Sequence, residues 1–394
     1  PRRWVTVFTP HADVRTVALI MTAAVLTGCG HASQESTHAA SAGATSQTQE
    51  LRVSGTSFSS AGQPFEWRGI TAFRLAEMVA SGREGEAIAF LDWAKREQLT
   101  VVRVLLTARH LFTLTPENGR RALPRLLDLA RDRGLAVEAV ALADTAAAPF
   151  DYEAHVRDVG RIAAEKGNAF VELANEPGHP TQDRRLHDPA FVAKLASLVP
   201  EPVLVALGSV EYGDGYGGGD YVTFHAPRGA QEWDHVLGLA GAARLTARFP
   251  KPVISDEPIG AHAAYQPGRR DNEPARFAAA AALTRLAGLG ATFHYEGGLQ
   301  AVTPTGRQAS CFAAWRQGLT LVGPEMVEGG EFLEEVSSIA DIDGARRTYA
   351  RVSATRAYVL LIEPSASATV RWHGSWAERG RTVVPGVRLI SAGR

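Results

Sequence analysis

Two short stretches of the chain each place a glutamate where it could move a proton or attack carbon. Residues 173–177 read Leu-Ala-Asn-Glu-Pro and carry Asn175 and Glu176; residues 254–258 read Ile-Ser-Asp-Glu-Pro and carry Asp256 and Glu257. Each stretch closes a short apolar run, so each carboxylate stands at the end of an expected strand. Two carboxyl groups across one pocket are what cleavage of a glycosidic bond requires. In its retaining form they lie about 5–5.5 Å apart, one protonated to release the leaving oxygen and one ionised to attack the anomeric carbon. Mutual repulsion and partial burial raise the pKa of the acid partner. In the second stretch Asp256 competes with Glu257, because strand alternation decides which of them faces the pocket and one sequence does not fix that phase.

The elements that must hold these residues alternate between strand and helix. Leu51–Phe58 and Pro64–Ile70 flank Ser59-Ser60-Ala61-Gly62, a hairpin signal. Counting Phe65–Ile70 as the first barrel strand, the others are Val101–Thr107, Ala136–Leu142, Ala169–Ala174, Val203–Leu207, Tyr221–His225, Pro252–Ser255 and Ala291–Tyr295. Amphipathic segments Glu84–Glu97, Leu123–Arg133, Tyr152–Lys166, Pro189–Leu198 and Pro274–Leu289 separate them. Continuous apolar strands belong to a parallel sheet covered on both faces. Eight of them close naturally as a (β/α)8 TIM barrel over residues 51–325, with the chemistry at the C-terminal strand ends. An open doubly wound sheet is the runner-up, and no Gly-x-Gly-x-x-Gly follows the first strand to support it. Over residues 331–394 the pattern changes to short antiparallel strands, Arg347–Ser353, Arg356–Ile362, Ala368–Trp372 and Arg381–Ile390, which reads as a small β domain.

Placed on that barrel, Glu176 ends the fourth strand and Glu257 the seventh. There the sequence resembles glycoside hydrolase clan A, most closely the family 5 cellulases and mannanases, over roughly residues 50 to 320. Asn175-Glu176-Pro177 matches the clan's Asn-Glu-Pro motif. The resemblance implies that Glu176 is the acid/base, Glu257 the nucleophile, and Asn175 a partner of the sugar 2-hydroxyl. It also implies that Arg103 on the second strand orients the nucleophile and keeps it ionised, and that His225 is the sixth-strand histidine. The sequence departs from the clan in three places. The third strand ends Ala143-Asp144-Thr145 without the frequent histidine. Ala226-Pro227 follows His225 where a tyrosine is frequent, and the eighth strand ends Phe293-His294-Tyr295 where a tryptophan usually underlies the sugar, so His294 or Tyr295 takes that place. Aromatic faces for sugar stacking are expected from Trp233, Tyr212, Tyr216, Tyr265 and Tyr295. Tyr216 lies in the glycine-rich, flexible-looking run Gly213–Asp220, and Arg74 and His110 are further candidates for hydroxyl contacts.

The N-terminal residues read as an address. Arg2, Arg3 and Arg15 precede an apolar run, Val17–Leu26, too short for a permanent membrane span. Leu26-Thr27-Gly28-Cys29 then resembles the lipobox of bacterial lipoproteins. The resemblance implies a signal peptide over 1–28, a lipid on Cys29, a tether over 29–50 and attachment in the bacterial cell envelope.

Composition agrees with a neutral ligand. With 41 Lys+Arg against 42 Asp+Glu the chain lacks the basic footprint of a nucleic-acid partner. Its two cysteines, Cys29 and Cys311, cannot build a disulfide framework or a four-thiolate zinc site. No cofactor and no metal are expected, the partner is a carbohydrate, and a monomer is expected. Two other readings are a non-catalytic glycan-binding lipoprotein on the same barrel, and a metal-dependent barrel hydrolase using His225, Asp256, Glu257 and His294. The latter lacks the first-strand His-x-His pair of that superfamily.

Overall fold

The computed structural model describes residues 51–226, 238, 241, 244–261, 273–379, 381–384 and 389–393. Cys29, Trp233 and Tyr265 lie outside the described residues, as do the expected signal peptide and tether. The chain first forms a three-stranded antiparallel meander, β1 (Leu51–Ser54), β2 (Ser57–Ser60) and β3 (Gln63–Phe65). The expected single strand Leu51–Phe58 is two strands, because Gly55 takes a left-handed conformation (φ +60°) that turns the chain back on itself.

Eight parallel strands follow: β4 (Arg68–Thr71), β5 (Val101–Leu105), β6 (Ala136–Leu142), β7 (Ala169–Ala174), β8 (Leu204–Gly208), β9 (Val222–His225), β10 (Val253–Glu257) and β11 (Gly290–Phe293). Their order is β8-β7-β6-β5-β4-β11-β10-β9, which leaves one seam between β8 and β9. That seam closes through a bridge between Ser209 and Thr223, through the His225 amide donating to Ser209 Oγ (3.0 Å), and through the Val205 amide donating to Asp220 Oδ2 (2.9 Å). A β-carbon on Gly219 would stand 2.2 Å from the Val205 carbonyl oxygen, so only glycine allows this approach. The run Gly213–Asp220 is therefore packed where flexibility was expected. Tyr216 within it is buried, with its hydroxyl donating to the Leu186 carbonyl (2.8 Å), and offers no face to a ligand.

The meander plugs the floor of the barrel. Leu51 and Phe58 pack with Trp67, Phe170, Leu204, Tyr221 and Ile254. Phe58 meets Phe170 edge-on at 5.0 Å and Tyr221 at 5.7 Å, a geometry that aromatic quadrupoles favour.

The surrounding helices follow ordinary capping rules. The helix Tyr152–Lys166 starts where Asp151 accepts from the Ala154 amide and stops at Gly167 (φ +75°). The helix Pro116–Arg131 begins ahead of the expected Leu123, because Thr115 caps it and Pro116 takes the first turn, where no amide is needed. On the inner face of Tyr152–Lys166, His155 is fully buried. Arg120 donates to its Nδ1 (2.8 Å), which fixes the Nε2 proton on the Ala141 carbonyl (3.0 Å). Burial, reinforced by Arg120, pushes its pKa down to about 4. An unfolded histidine takes a proton near 6.5, so the stability held in this neutral ring is complete above that value and drains away as pH falls toward 4. The gap is worth about 3 kcal/mol. Urea unfolding at pH 7 and pH 4 is expected to show wild type losing about that much relative to His155→Gln.

Residues beyond the barrel form a five-stranded antiparallel sheet: β12 (Glu331–Leu333), β13 (Ala340–Val352), β14 (Arg356–Trp372), β15 (Arg381–Val384) and β16 (Leu389–Gly393). The expected strands Arg356–Ile362 and Ala368–Trp372 are one continuous β14, because its two ends pair with different partners, β16 and β15. In its first half alternation sends Tyr358, Leu360 and Ile362 to the main core and Val359 and Leu361 to a second core; past the register shift opposite Asp343 and Ala345 the phase changes, and Val370 and Trp372 join that second core with Trp376. Arg351 of β13 donates to the Leu286 carbonyl at the end of the helix Pro274–Leu286 (3.2 Å), fastening the sheet to the barrel. No helix among the described residues is long and apolar enough to cross a membrane.

Candidate active site

Inward-facing residues of the strands stack in layers above the aromatic floor. The middle layer is charged, and Arg103 is its cation. Its side chain is fully buried, and it donates Nε (3.0 Å) and Nη2 (2.7 Å) to Glu172, Nη1 to Glu257 (2.8 Å) and Nη2 to Asn175 Oδ1 (2.9 Å). The buried carboxylates of Glu138 and Asp256 approach its Nε at 3.5 and 3.9 Å. Burial, Glu172 and the other carboxylates compete over the guanidinium, and the carboxylates prevail, holding its pKa well above the ordinary value.

The choice between Asp256 and Glu257 resolves in an unexpected way. Regular alternation would send neighbours to opposite faces, but the pairing of β10 with β9 shifts register between Ser255 and Glu257. Both side chains therefore reach Arg103. Asp256 lies in the middle layer, and Glu257 lies nearly buried beside His225 and His294, their Nε2 atoms at 3.9 and 3.6 Å.

Glu176 sits on a strained turn. Its φ is +47°, a region that costs a residue with a β-carbon about 1–2 kcal/mol. The turn is held from several sides. The Asn175 amide donates to the Leu142 carbonyl (3.0 Å), and Gln182 Nε2 donates to the Asn175 carbonyl. Gly208 leaves room for Pro177, where an added β-carbon would come within 3.0 Å of its ring. This strain aims a side chain that is 20% exposed at His225, whose Nδ1 lies 3.2 Å from Glu176 Oε1. His225 Nε2 lies 3.4 Å from Arg103 Nη2, on the other side of the ring from Glu176. Burial alone would lower the His225 pKa, but Glu257 and Glu176 outweigh it and raise it. Replacing Glu176 by glycine removes the strain, so Glu176→Gly is expected to melt no lower than the parent, as calorimetry would show, although it deletes a pocket side chain.

One carboxylate oxygen of Glu176 and one of Glu257 lie within 4.8 Å of each other, with a His225 nitrogen in the same group. Ligand atoms of Glu172, His225 and Asp256 are grouped as tightly. Neither set suits a metal ion. Arg103 is in contact with Glu172, His225 and Glu257, so a second cation would face a guanidinium at close range. Glu176 and Glu257 also address opposite nitrogens of His225.

The other expected contacts separate. His294 points inward, its Nδ1 bonded to Thr71 Oγ1 (2.8 Å). Tyr295 does not join the pocket: its ring packs on Phe293 at 4.8 Å, its hydroxyl donates to the Val302 carbonyl (2.6 Å), and it is buried on the helix side of the barrel. Strand alternation, carried past the end of β11, is the reason. Arg74 is engaged by Glu77 and Gln300. His110 is exposed and pairs with Asp144 (2.9 Å), whose other oxygen accepts the amides of Arg109 and His110. Sequence reasoning missed Glu138 and Glu172. Their signal was present, a single carboxylate inside each of the apolar runs Ala136–Leu142 and Ala169–Ala174.

No protein-family model and no curated protein matches the sequence. Solved structures do match. A glycoside hydrolase superposes with a TM-score of 0.56 at 13% identity, over 88% of this chain and 94% of that one. A family 5 glycoside hydrolase from Bacteroides vulgatus gives a TM-score of 0.54 at 15% identity, over 88% and 90% of the two chains. A second candidate glycoside hydrolase from that organism gives 0.58 at 14% identity, over 89% and 84%. The chain shares their fold. The fold is a (β/α)8 barrel with small antiparallel sheets, and the coverage takes in most of the chain.

Proposed function

We propose that the chain is a retaining β-glycoside hydrolase in which Glu257 attacks the anomeric carbon and Glu176 serves as acid and then base. The observation that carries this reading is the spacing of the pair, with oxygens of the two carboxylates within 4.8 Å. Closest oxygens this near fit the about 5–5.5 Å carboxyl separation of retaining enzymes better than the about 6.5–9.5 Å of inverting ones. The environments of the two carboxylates divide the roles. Glu257 accepts from Arg103 at 2.8 Å, a charge complement suited to an ionised nucleophile. Glu176 is paired with His225 Nδ1 (3.2 Å) in place of an arginine and keeps a partly open side chain, the position of a group that exchanges protons with substrate and water. Asn175, its oxygen held by Arg103, would offer its amide nitrogen to a sugar hydroxyl, and His225 and His294 stand 3.9 and 3.6 Å from Glu257.

The substrate class is a β-linked oligo- or polysaccharide, and no cofactor enters the reaction. By the lipobox resemblance, Cys29 would tether the enzyme to the bacterial cell envelope. The test is incubation with a panel of aryl β-glycosides and β-glucans and β-mannans, with the product anomer followed by proton NMR from the first turnover. The β-anomer is expected first. Appearance of the α-anomer first would replace retention by inversion, and binding without release of sugar would favour a glycan-binding lipoprotein.

A further inference from the structure

The layer beneath the pocket does not balance its charge. Glu138, Glu172, Asp256 and Glu257 approach the Arg103 guanidinium at 3.5, 2.7, 3.9 and 2.8 Å, and the first three are fully buried. Four negative charges around one positive charge, away from water, would cost several kcal/mol per uncompensated ion. Such a layer lowers its charge by keeping protons.

The hydrogen bonds indicate where those protons reside. Glu172 accepts twice from Arg103 and, on its other oxygen, from Thr223 (3.2 Å), so both of its oxygens are served as those of an ion should be. Glu138 accepts from the Tyr221 hydroxyl on Oε1 (2.9 Å), but its Oε2 has no hydrogen-bond partner. Asp256 accepts only a long contact from Thr292 on Oδ1 (3.4 Å), and its Oδ2 has none. Both bare oxygens face Arg103 Nε, whose single hydrogen already goes to Glu172.

We propose that Glu138 and Asp256 are neutral carboxylic acids at pH 7, and that this pair of protons keeps Arg103 committed to Glu172 and Glu257. The titratable and charged groups around the pair are Arg103 on β5, Glu172 on β7, Tyr221 and His225 at β9, Glu257 on β10 and His294 after β11. Burial first, and then repulsion from Glu172, lift Glu138 to about 8 against the pull of Arg103. Burial and Glu138 hold Asp256 well above the carboxylate range. Glu138 and Asp256 touch no substrate and are positioning residues that act through Arg103. That catalytic consequence rests on the glycosidase reading; the protons themselves do not.

Infrared spectroscopy of the protein in heavy water tests the protons directly. At pH 7, where exposed carboxyls are ionised, a protonated-carboxyl band worth two groups is expected. Glu138→Gln and Asp256→Asn should each remove half of it, and Glu172→Gln none. A wild-type spectrum without that band, or a band that survives either of the first two substitutions, overturns the proposal. Should a variant fail to fold, the wild-type band alone decides, since half of it must titrate away only near pH 8. A second readout is stability. The Glu138 proton supports the fold below the ordinary carboxylate range and is lost as pH rises toward 8, whereas glutamine has none to lose. Between pH 5 and pH 8 the unfolding constant of wild type relative to Glu138→Gln should rise by about a hundredfold or more, and a constant ratio overturns the proposal. In glycoside turnover the alkaline limb of wild type should shift upward in Glu138→Gln. Absence of turnover in wild type at every pH defeats the glycosidase reading and leaves the infrared and stability results to judge the protons.

Discussion

Glu257→Gln is expected to reduce glycoside turnover by about 10⁴-fold or more on every substrate, because it removes the carboxylate proposed to attack the anomeric carbon. The neighbouring Asp256 is no substitute, since it lies one layer deeper with its oxygens toward Arg103 and Thr292. Glu176→Gln behaves differently. It removes the proton that a poor leaving group needs, a loss of about 10²–10⁴-fold on alkyl glycosides and polysaccharides. On a dinitrophenyl glycoside, whose leaving group departs without help, the first step should be nearly unchanged, and the covalent intermediate should accumulate. Stopped-flow release of the phenol, with mass spectrometry of the quenched protein, separates the two cases. A glycosyl adduct seen in Glu176→Gln and absent from Glu257→Gln is the expected result. Equal losses on both substrate types in both variants would mean that the roles are wrongly divided.

Arg103→Met is expected to have the largest effect on the fold itself. It strips the guanidinium from the space shared by Glu138, Glu172, Asp256 and Glu257, and an uncompensated buried ion costs about 3–5 kcal/mol. The variant should be insoluble or melt far below the parent at pH 7. It should be less destabilised at lower pH, where acid reduces the negative charge left without its guanidinium. Arg103→Lys restores a charge but not the fork that serves Glu172, Asn175 and Glu257 together, and should recover only part of the loss. Soluble yield and urea midpoints against pH measure both effects. A variant equally stable at pH 5 and pH 7 would show that the guanidinium is not what balances the layer.

How far the sequence revealed this arrangement depends on what each feature needs. Strand ranges such as Ala136–Leu142 and Ala169–Ala174 are written in local apolar runs, and the observed strands coincide with them. Glu176 and Glu257 could be found because a barrel gathers its strand ends, so their position along the chain implies a meeting point, whereas Arg103 and His225 were reached through the resemblance to clan A. The inward approach of both Asp256 and Glu257 could not be found, because it depends on a register shift against β9, a strand distant in sequence. The packing of Tyr216 and the outward turn of Tyr295 were hidden for the same reason. Each is set by a carbonyl or a ring from elsewhere in the chain, Leu186 in one case and Val302 and Phe293 in the other. The charged layer was legible in principle. A lone glutamate inside an apolar strand has to point into the barrel with a partner, and two such strands stand side by side.

The meander that plugs the barrel floor also fixes a direction. Leu51 is packed at the N-terminal ends of the strands, whereas Glu176 and Glu257 stand at the C-terminal ends, on the opposite face. Any attachment made through the chain ahead of residue 51 therefore pulls on the closed side of the molecule.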